Sequence, residues 1–523
     1  MNKAGALLLV LTLTTPYLIV ILPAKATPRT VIVPDNFSTI TDAITNALEG
    51  DKILVKKGTY EYPINQTLVI DKTLSIIGED PRNTRINIHP PWISNIIFTQ
   101  DFSGFAPPIK IEANDVSLSG LTFSTDEEGT LYSNGNGTQL VNNNFLNFAG
   151  LSLTGDNCTI VDNSVSGSIQ LNGNYGNVSR NTFTNTMWVS GSYNFVSENR
   201  LNWLKIQSQA FVGRGSYNEF IGNYIVGPNI GGNVMMQIRG DHNLVFENTV
   251  TLVQNEETAT GNQEFPYIFR VAMDISSSES IVARNTIFNC SGGIIVGFST
   301  TRNTIIFGNN ITGTVLNLGN GIQLVGFNAE VGMLAENNII FGNYIANFHV
   351  GIASNGYNNT IFLNDFVNNT QQTDCLYFGE PNYRPDNFDS GKEGNYYSDY
   401  HGADTDKDGF GDTPYLIPAI LYKLDETRDI SETVNFSIKD SYPLLKPFNI
   451  STANISLPNW TSSLPLTIRS SAFVNSTELL NEPLPKSSIP ELSYEIVALV
   501  IPLTVIILVL VIVRKRQRLN EFS

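Results

Sequence analysis

The 523-residue chain carries 31 Lys plus Arg against 48 Asp plus Glu, a net charge of -17 with only 15% charged residues. That balance excludes a nucleic-acid binder, because phosphate contacts need clustered cations and the one cluster is RKRQR at 514–518. Three cysteines, Cys158, Cys290 and Cys375, exclude a disulfide framework, so the fold must rest on its core.

At the N-terminus, Lys3 precedes an apolar stretch from Ala4 to Leu22 and the small-x-small pattern Ala24-Lys25-Ala26. Residues 1–26 therefore read as a cleavable export signal, with a mature chain starting near Thr27. The next segment, VPDNFSTITDAITNALEGDKILVKKGTY, predicts a short amphipathic helix from Thr39 to Leu48, stopped by Gly50.

From about residue 140 to 365 one phrase recurs: LVNNNF, IVDNSV, VSRNTF, VSENRL, FIGNYI, VFENTV, IVARNTI, IIFGNNI, IIFGNYI, IFLNDF. Its asparagines fall at 143, 163, 181, 199, 223, 248, 285, 309, 343 and 364. Steps near twenty residues, alternating β-branched types and Asn or Gly turns predict short strands, one rung per repeat, in an all-β parallel solenoid. Stacked rungs would place each asparagine over the next in an internal hydrogen-bonded ladder.

Two segments resemble known families. The helix segment with LVIDKTLSIIGED (68–80) resembles the entry cap and first coils of pectin-lyase-like right-handed parallel β-helices, and implies a single-stranded solenoid over 27–375 with an N-terminal helical cap. DNFDSGKEGNYYSDYHGADTDKDGFGDTPYLI (386–417), closing with DSYPLLKP (440–447), resembles the C-terminal part of the NosD-like family, whose name is tied to copper-enzyme maturation. That resemblance implies a C-terminal cap over 376–447.

Aligning the repeats on their inward residues gives LSL (151–153), IQL (169–171), MWV (187–189), LKI (204–206), MQI (236–238) and MDI (273–275), then IIV, IQL and IAS. Successive strand residues alternate faces, so the middle residue of each points outward. The central rungs then gather Gln170, Trp188, Lys205, Gln237 and Asp274, with Gln207 and Arg239 two residues further on. Amides and charges for hydroxyls with one ring for a sugar face make a carbohydrate-binding set. The stretches 208–218 and 253–269 read as insertions that would wall a groove. If the groove were catalytic, Asp274 would serve with Lys205 or Arg239 as lyase or hydrolase machinery.

The run DTDKDGFGD puts Asp404, Asp406, Asp408 and Asp412 within nine positions, with the Phe410 carbonyl as a fifth oxygen donor and Gly409 for the turn. All-oxygen donors at this spacing predict a structural calcium ion, although Tyr415 stands where a helix-loop-helix site would have a bidentate glutamate. Copper is not expected: His89, His242, His349 and His401 form no pair at ligand spacing, and Met235 and Met236 face opposite ways. His242 takes a turn position that tyrosine fills in neighbouring repeats.

Residues 448–493 are rich in Ser, Thr, Asn and Pro and read as an extended, glycosylated stalk. The uncharged run closing at Val513 makes 494–513 one transmembrane helix, and the basic tail 514–523 places the C-terminus in the cytoplasm. Asn-x-Ser/Thr sequons at Asn36, Asn65, Asn136, Asn157, Asn177 and Asn310 accord with an external location. The expected protein is a membrane-anchored surface β-helix that binds polysaccharide or serves the envelope or adhesion. A polysaccharide lyase or glycoside hydrolase, and a copper-maturation factor of the NosD type, are the alternatives.

Overall fold

The computed structural model describes residues 27–90, 107–202, 209–228, 234–253, 271–314, 319–326, 334–379, 384–424 and 430–449. The export signal, most of the stalk, the transmembrane segment and the basic tail lie outside the described residues. Among the described residues no helix is long and apolar enough to cross a membrane.

The molecule is a parallel β-helix. A first face stacks fourteen strands in parallel, from Thr30–Val33 through Thr159–Val161 and Ile281–Ala283 to Thr360–Phe362. The chain then turns into a second face, for example Ser164–Val165, Thr182–Phe183, Arg200–Asn202 and Tyr224–Pro228. A further turn leads to a third face, for example Ser168–Leu171, Met187–Ser190, Gln209–Arg214, Val234–Arg239 and Val271–Ser276.

Each strand offers alternate residues to the interior. Val178, Val196, Phe220, Val245, Val282 and Ile306 line the first face inside and are fully buried. A left-handed residue makes the corner between first and second faces: Asp162, Arg180, Glu198, Glu247 and Arg284 have φ between 54° and 58°. At three such corners glycine removes the cost of that conformation, Gly222, Gly308 and Gly342 having φ of 61° or 62°. The corner turns the next side chain inward, and that residue is the repeat asparagine.

The predicted ladder is present. Nδ2 of each asparagine donates to Oδ1 of the next at 2.9 to 3.2 Å from Asn143 through Asn364. The same amides donate to backbone carbonyls, as Asn181 does to Ile160 at 2.7 Å, and accept from backbone N–H groups. Buried amides thus satisfy one another, which removes the cost of hiding them. The column runs one rung beyond the repeats to Asn395, whose backbone N–H meets Asp440 Oδ2 at 2.7 Å.

A second column runs along another corner. Backbone N–H groups pass Asn194 to Asn218, Asn218 to Asn243, Thr304 to Asn338 and Asn338 to Asn359, ending on Asp386 Oδ1 at 2.8 Å. Outside it the rings of Tyr175, Tyr193, Tyr217 and His242 stack at 5.0, 5.0 and 4.7 Å. His242 therefore does occupy the tyrosine turn position, with φ 59°.

At the N-terminal end the helix is Ile40–Asn46, slightly shorter than the sequence suggests. Thr39 is its N-cap, Oγ1 accepting from the Asp42 N–H at 3.0 Å, and Ile40, Ala43 and Ile44 are buried. At the other end stacking continues past residue 375: Gln371–Gly379 and Tyr396–Tyr397 each pair on the preceding rung, and an antiparallel pair, Tyr415–Leu424 with Ile430–Asp440, follows.

Candidate functional site

The third face places Ser152, Gln170 and Trp188 in one outward column, as the repeat predicts. The next step differs. Trp188 pairs with Val212, and Ser190 pairs with Arg214, so the following rung is Gln209–Arg214 rather than 204–206. The stretch read as an insertion at 208–218 is in large part that rung; Lys205 and Gln207 lie outside the described residues, as does 254–269. Arg214 is the residue the alignment missed. Its signal was available: Trp188, Gln237 and Asp274 each precede the residue of the second column, Asn194, Asn243 and Ser280, by six positions, and Val212 stands six before Asn218.

From there the predicted order resumes. Val212 lies beside Gln237 and Gln237 beside Asp274, while Arg214 lies beside Arg239 and Arg239 beside Ser276. The structure thus joins Gln170, Trp188, Gln237, Arg239 and Asp274 on one face, but not at one depth. Gln237 and Asp274 are only 3% and 1% exposed. Gln237 Nε2 donates to Asp274 Oδ2 at 2.7 Å and Ser276 Oγ to Asp274 Oδ1 at 2.8 Å. Burial pushes the Asp274 carboxyl above its ordinary range, opposed by these two hydrogen bonds and by the Arg239 charge. Both carboxylate oxygens of Asp274 are thus engaged and enclosed. Beyond it Val271, Ile295 and Val325 form an apolar cluster with Val234, so the polar surface ends there.

The open part comprises Gln170, Asn172, Trp188 and Ser190, all half-buried, with Arg214 and Arg239 exposed. The Arg214 guanidinium sits 5.3 Å from the centroid of the Trp188 ring, which fixes its planar fork. Arg214 and Arg239 stand in register on adjacent rungs, and among the described residues neither forms an ion pair. Like charges placed opposite across a pair of strands repel. Arg239 also acts electrostatically on the buried Asp274 carboxyl, so Arg214 is the less compensated cation of the two among the described residues.

The aspartate loop forms a second constellation. Carboxylate oxygens of Asp404, Asp406 and Asp408 lie within 4.8 Å of one another. Asp404 Oδ1 accepts the Asp408 N–H at 3.2 Å and Asp404 Oδ2 the Gly409 N–H at 3.3 Å, which folds the loop around the three carboxylates. Asp412 is held apart, its Oδ2 accepting from the Thr405 N–H and hydroxyl at 3.0 and 2.5 Å. Phe410 bridges to Leu444 through its backbone and so ties the loop to the closing segment.

The model of the family described as "Periplasmic copper-binding protein (NosD)" matches residues 269–402. Within that segment the described thiols and imidazoles lie apart in environment. Cys290 and Cys375 are buried, with burial pushing the Cys290 thiol up to about 12 and that of Cys375 higher still, whereas His349 and His401 are exposed. Among the described residues the group able to hold a metal is the three aspartates.

Among solved structures, a PL6 alginate lyase in complex with a trisaccharide is similar at 13% identity and TM-score 0.39, over 80% of this chain and 93% of that one. The A-module of the Azotobacter vinelandii mannuronan C-5 epimerase gives 14% and 0.33, over 61% and 92%. The catalytic unit of a GH87 α-1,3-glucanase from Streptomyces thermodiastaticus gives 14% and 0.34, over 73% and 71%. No curated protein matches the chain. With fourteen parallel strands on its first face and asparagine columns at its corners, the chain is a parallel β-helix, and its residues 269–402 are similar to the NosD family.

Proposed function

We propose that the protein binds an acidic polysaccharide along the open rungs of its third face. The observation that carries this reading is the in-register pair Arg214 and Arg239, both exposed and forming no ion pair among the described residues, beside Trp188. The guanidinium forks receive carboxylate or sulfate groups of the polymer in bidentate fashion. Gln170, Asn172 and Ser190 supply donors and acceptors for hydroxyls, and the Trp188 ring gives an apolar surface for a sugar face. Binding without cleavage is favoured because the carboxyl of Asp274, the one acid of the set, is enclosed in a hydrogen-bonded network.

The reading also takes the chain as exported through residues 1–26, displayed outside the cell on one membrane helix at 494–513, with the C-terminus in the cytoplasm. Calcium held by Asp404, Asp406 and Asp408 closes the C-terminal cap in this reading. Asp412 and the Phe410 carbonyl, the other predicted donors, complete its shell once Asp412 turns from Thr405.

The test is binding of the purified protein to arrayed polysaccharides, neutral and acidic, with Arg214→Ala and Trp188→Ala as controls. Retention of uronate-containing or sulfated polymers, lost in Arg214→Ala, supports the reading. Equal retention of neutral polymers, or release of unsaturated products, overturns it.

A further inference from the structure

The outward side of the first face changes character along the solenoid. Early rungs present Lys52, Ser75, Ser117, Gln139 and Thr159 there. From residue 244 onward the same positions are Leu244, Ile281 and Ile305, and the second outward column, which early rungs fill with Leu54, Ile77, Ser119, Val141 and Val161, becomes largely aromatic: Phe246, Ala283, Phe307, Phe341 and Phe362. Rings of Phe307, Phe341 and Phe362 stack at 5.1 and 5.4 Å.

These side chains form a cluster separate from the core, yet they are hidden. Ile305 is 0% exposed, Ile281 2%, Phe341 3% and Phe307 5%. Neighbours in a flat parallel sheet shield one another sideways but not from above. The described hydrophobics packed against the cluster, Ile221, Ile339 and Phe362, all come from the same face. The Arg284 guanidinium lies over the Phe246 ring at 5.4 Å, which leaves the Phe307 and Phe341 end for another stretch of polypeptide to cover.

The described chain ends beside this stripe. The Phe448 N–H donates to Asp365 Oδ1 at 2.7 Å, and Asp365 follows Phe362 by three residues, just around the corner made by Leu363 and Asn364. The sequence that continues from there, ISTANISLPNWTSSLPLTI (450–468), has no charged residue before Arg469 and carries Ile455, Leu457, Trp460, Leu464, Leu466 and Ile468. Ile455 and Leu457 alternate with Asn454 and Ser456, as a strand needs to bury one side and wet the other. Five rungs from Leu244 to Thr360 span about 19 Å, which about six extended residues cover.

We propose that residues 450–468 fold back over the outward apolar stripe of the first face as a strap, and that the free stalk begins only after it. The apolar stripe is then an internal docking surface, and the tether to the membrane leaves from the flank of the solenoid instead of from its end.

Hydrogen exchange on the full-length protein in detergent, followed by mass spectrometry, tests this. Backbone amides of 450–462 should exchange at least tenfold more slowly than those of 475–490. Leu457→Asp with Trp460→Asp, which leaves the solenoid untouched, should abolish that protection, and Phe307→Asp should do the same from the other side. Equal exchange of the two segments in the unmodified protein overturns the proposal. So does a concentration-dependent dimer that Phe307→Asp dissociates while protection of 450–462 is unchanged, since a second copy would then be the occupant.

Discussion

Asp440 receives the last donors of the main asparagine column: its Oδ2 lies 2.7 Å from the backbone nitrogen of Asn395 and 3.3 Å from Asn395 Nδ2. The Tyr397 hydroxyl donates to the same oxygen at 3.1 Å. Every amide of the column donates toward the C-terminal end, so the final N–H groups have no asparagine to meet and a carboxylate takes them. Asp386 does the same for the second column.

Replacing that acceptor should be costly. Asp440→Ala leaves Asn395 and Tyr397 donors buried without a partner, and should destabilise the fold by about 3 kcal/mol at pH 7. Asp440→Asn keeps one oxygen acceptor and should lose about 1 kcal/mol. Urea unfolding followed by tryptophan fluorescence measures both; equal losses would show that the acceptor oxygen is not what matters.

Acid should act on these carboxyls in an unusual direction. Burial pushes Asp386 and Asp440 up to about 6 from an ordinary value of 3.8, against hydrogen bonds that lower them. A carboxyl whose folded value is raised contributes stability that is full below the unfolded value and lost as pH rises through the folded one. With calcium chelated, lowering the pH from 7 to 4 should therefore raise the unfolding midpoint. The gain belonging to these groups should shrink in the double variant Asp386→Asn, Asp440→Asn. A double variant with the same pH slope as the parent would contradict the assignment.

Calcium should stabilise the C-terminal end. Titration calorimetry should show uptake of one ion per chain, absent in Asp406→Ala, and the thermal midpoint should rise with added calcium in the parent alone. Asp412→Asn should weaken uptake less than Asp406→Ala, because Asp412 is already engaged by Thr405. Uptake unchanged in Asp406→Ala would remove the site.

For the third face, Arg214→Ala should lower affinity for an acidic polymer about tenfold, and Arg214→Lys should restore only part of it, since an ammonium cannot give the bidentate fork. Binding should weaken as salt is raised. Asp274→Asn should leave affinity within about twofold, because its side chain is enclosed. Biolayer interferometry on immobilised polymer reads all three.

Much of this was legible in the letters. The step between asparagines gave the rungs, the ladder from Asn143 to Asn364 and, through alternation, the outward neighbours Ser152, Gln170 and Trp188. The entry helix was readable too, although Thr39 proves to be its N-cap and not its first residue. What the repeat could not supply were places where two registers fit. LKI at 204–206 and FVG at 211–213 both alternate, and only the distance to Asn218 separates them. Nor does sequence carry depth: Gln237 and Asp274 point outward by alternation, yet they are enclosed, as are Ile305 and Phe307 on the other side. The column ends were hidden for a different reason, since Asp386 and Asp440 are carboxylates outside the repeated phrase, and Asp440 lies 45 residues from the asparagine it meets.

Because every link of the main column joins one amide to an identical one, the solenoid can lose a whole coil and heal. Removing residues 223–247 would bring Asn248 under Asn199, and the two would bond as Asn223 and Asn199 do now, by 3.0 Å. Excising half as many residues would leave a donor facing a hydrophobic side chain. The natural unit of shortening in this protein is thus one full winding, and a ligand that spans several windings measures its own length against their number.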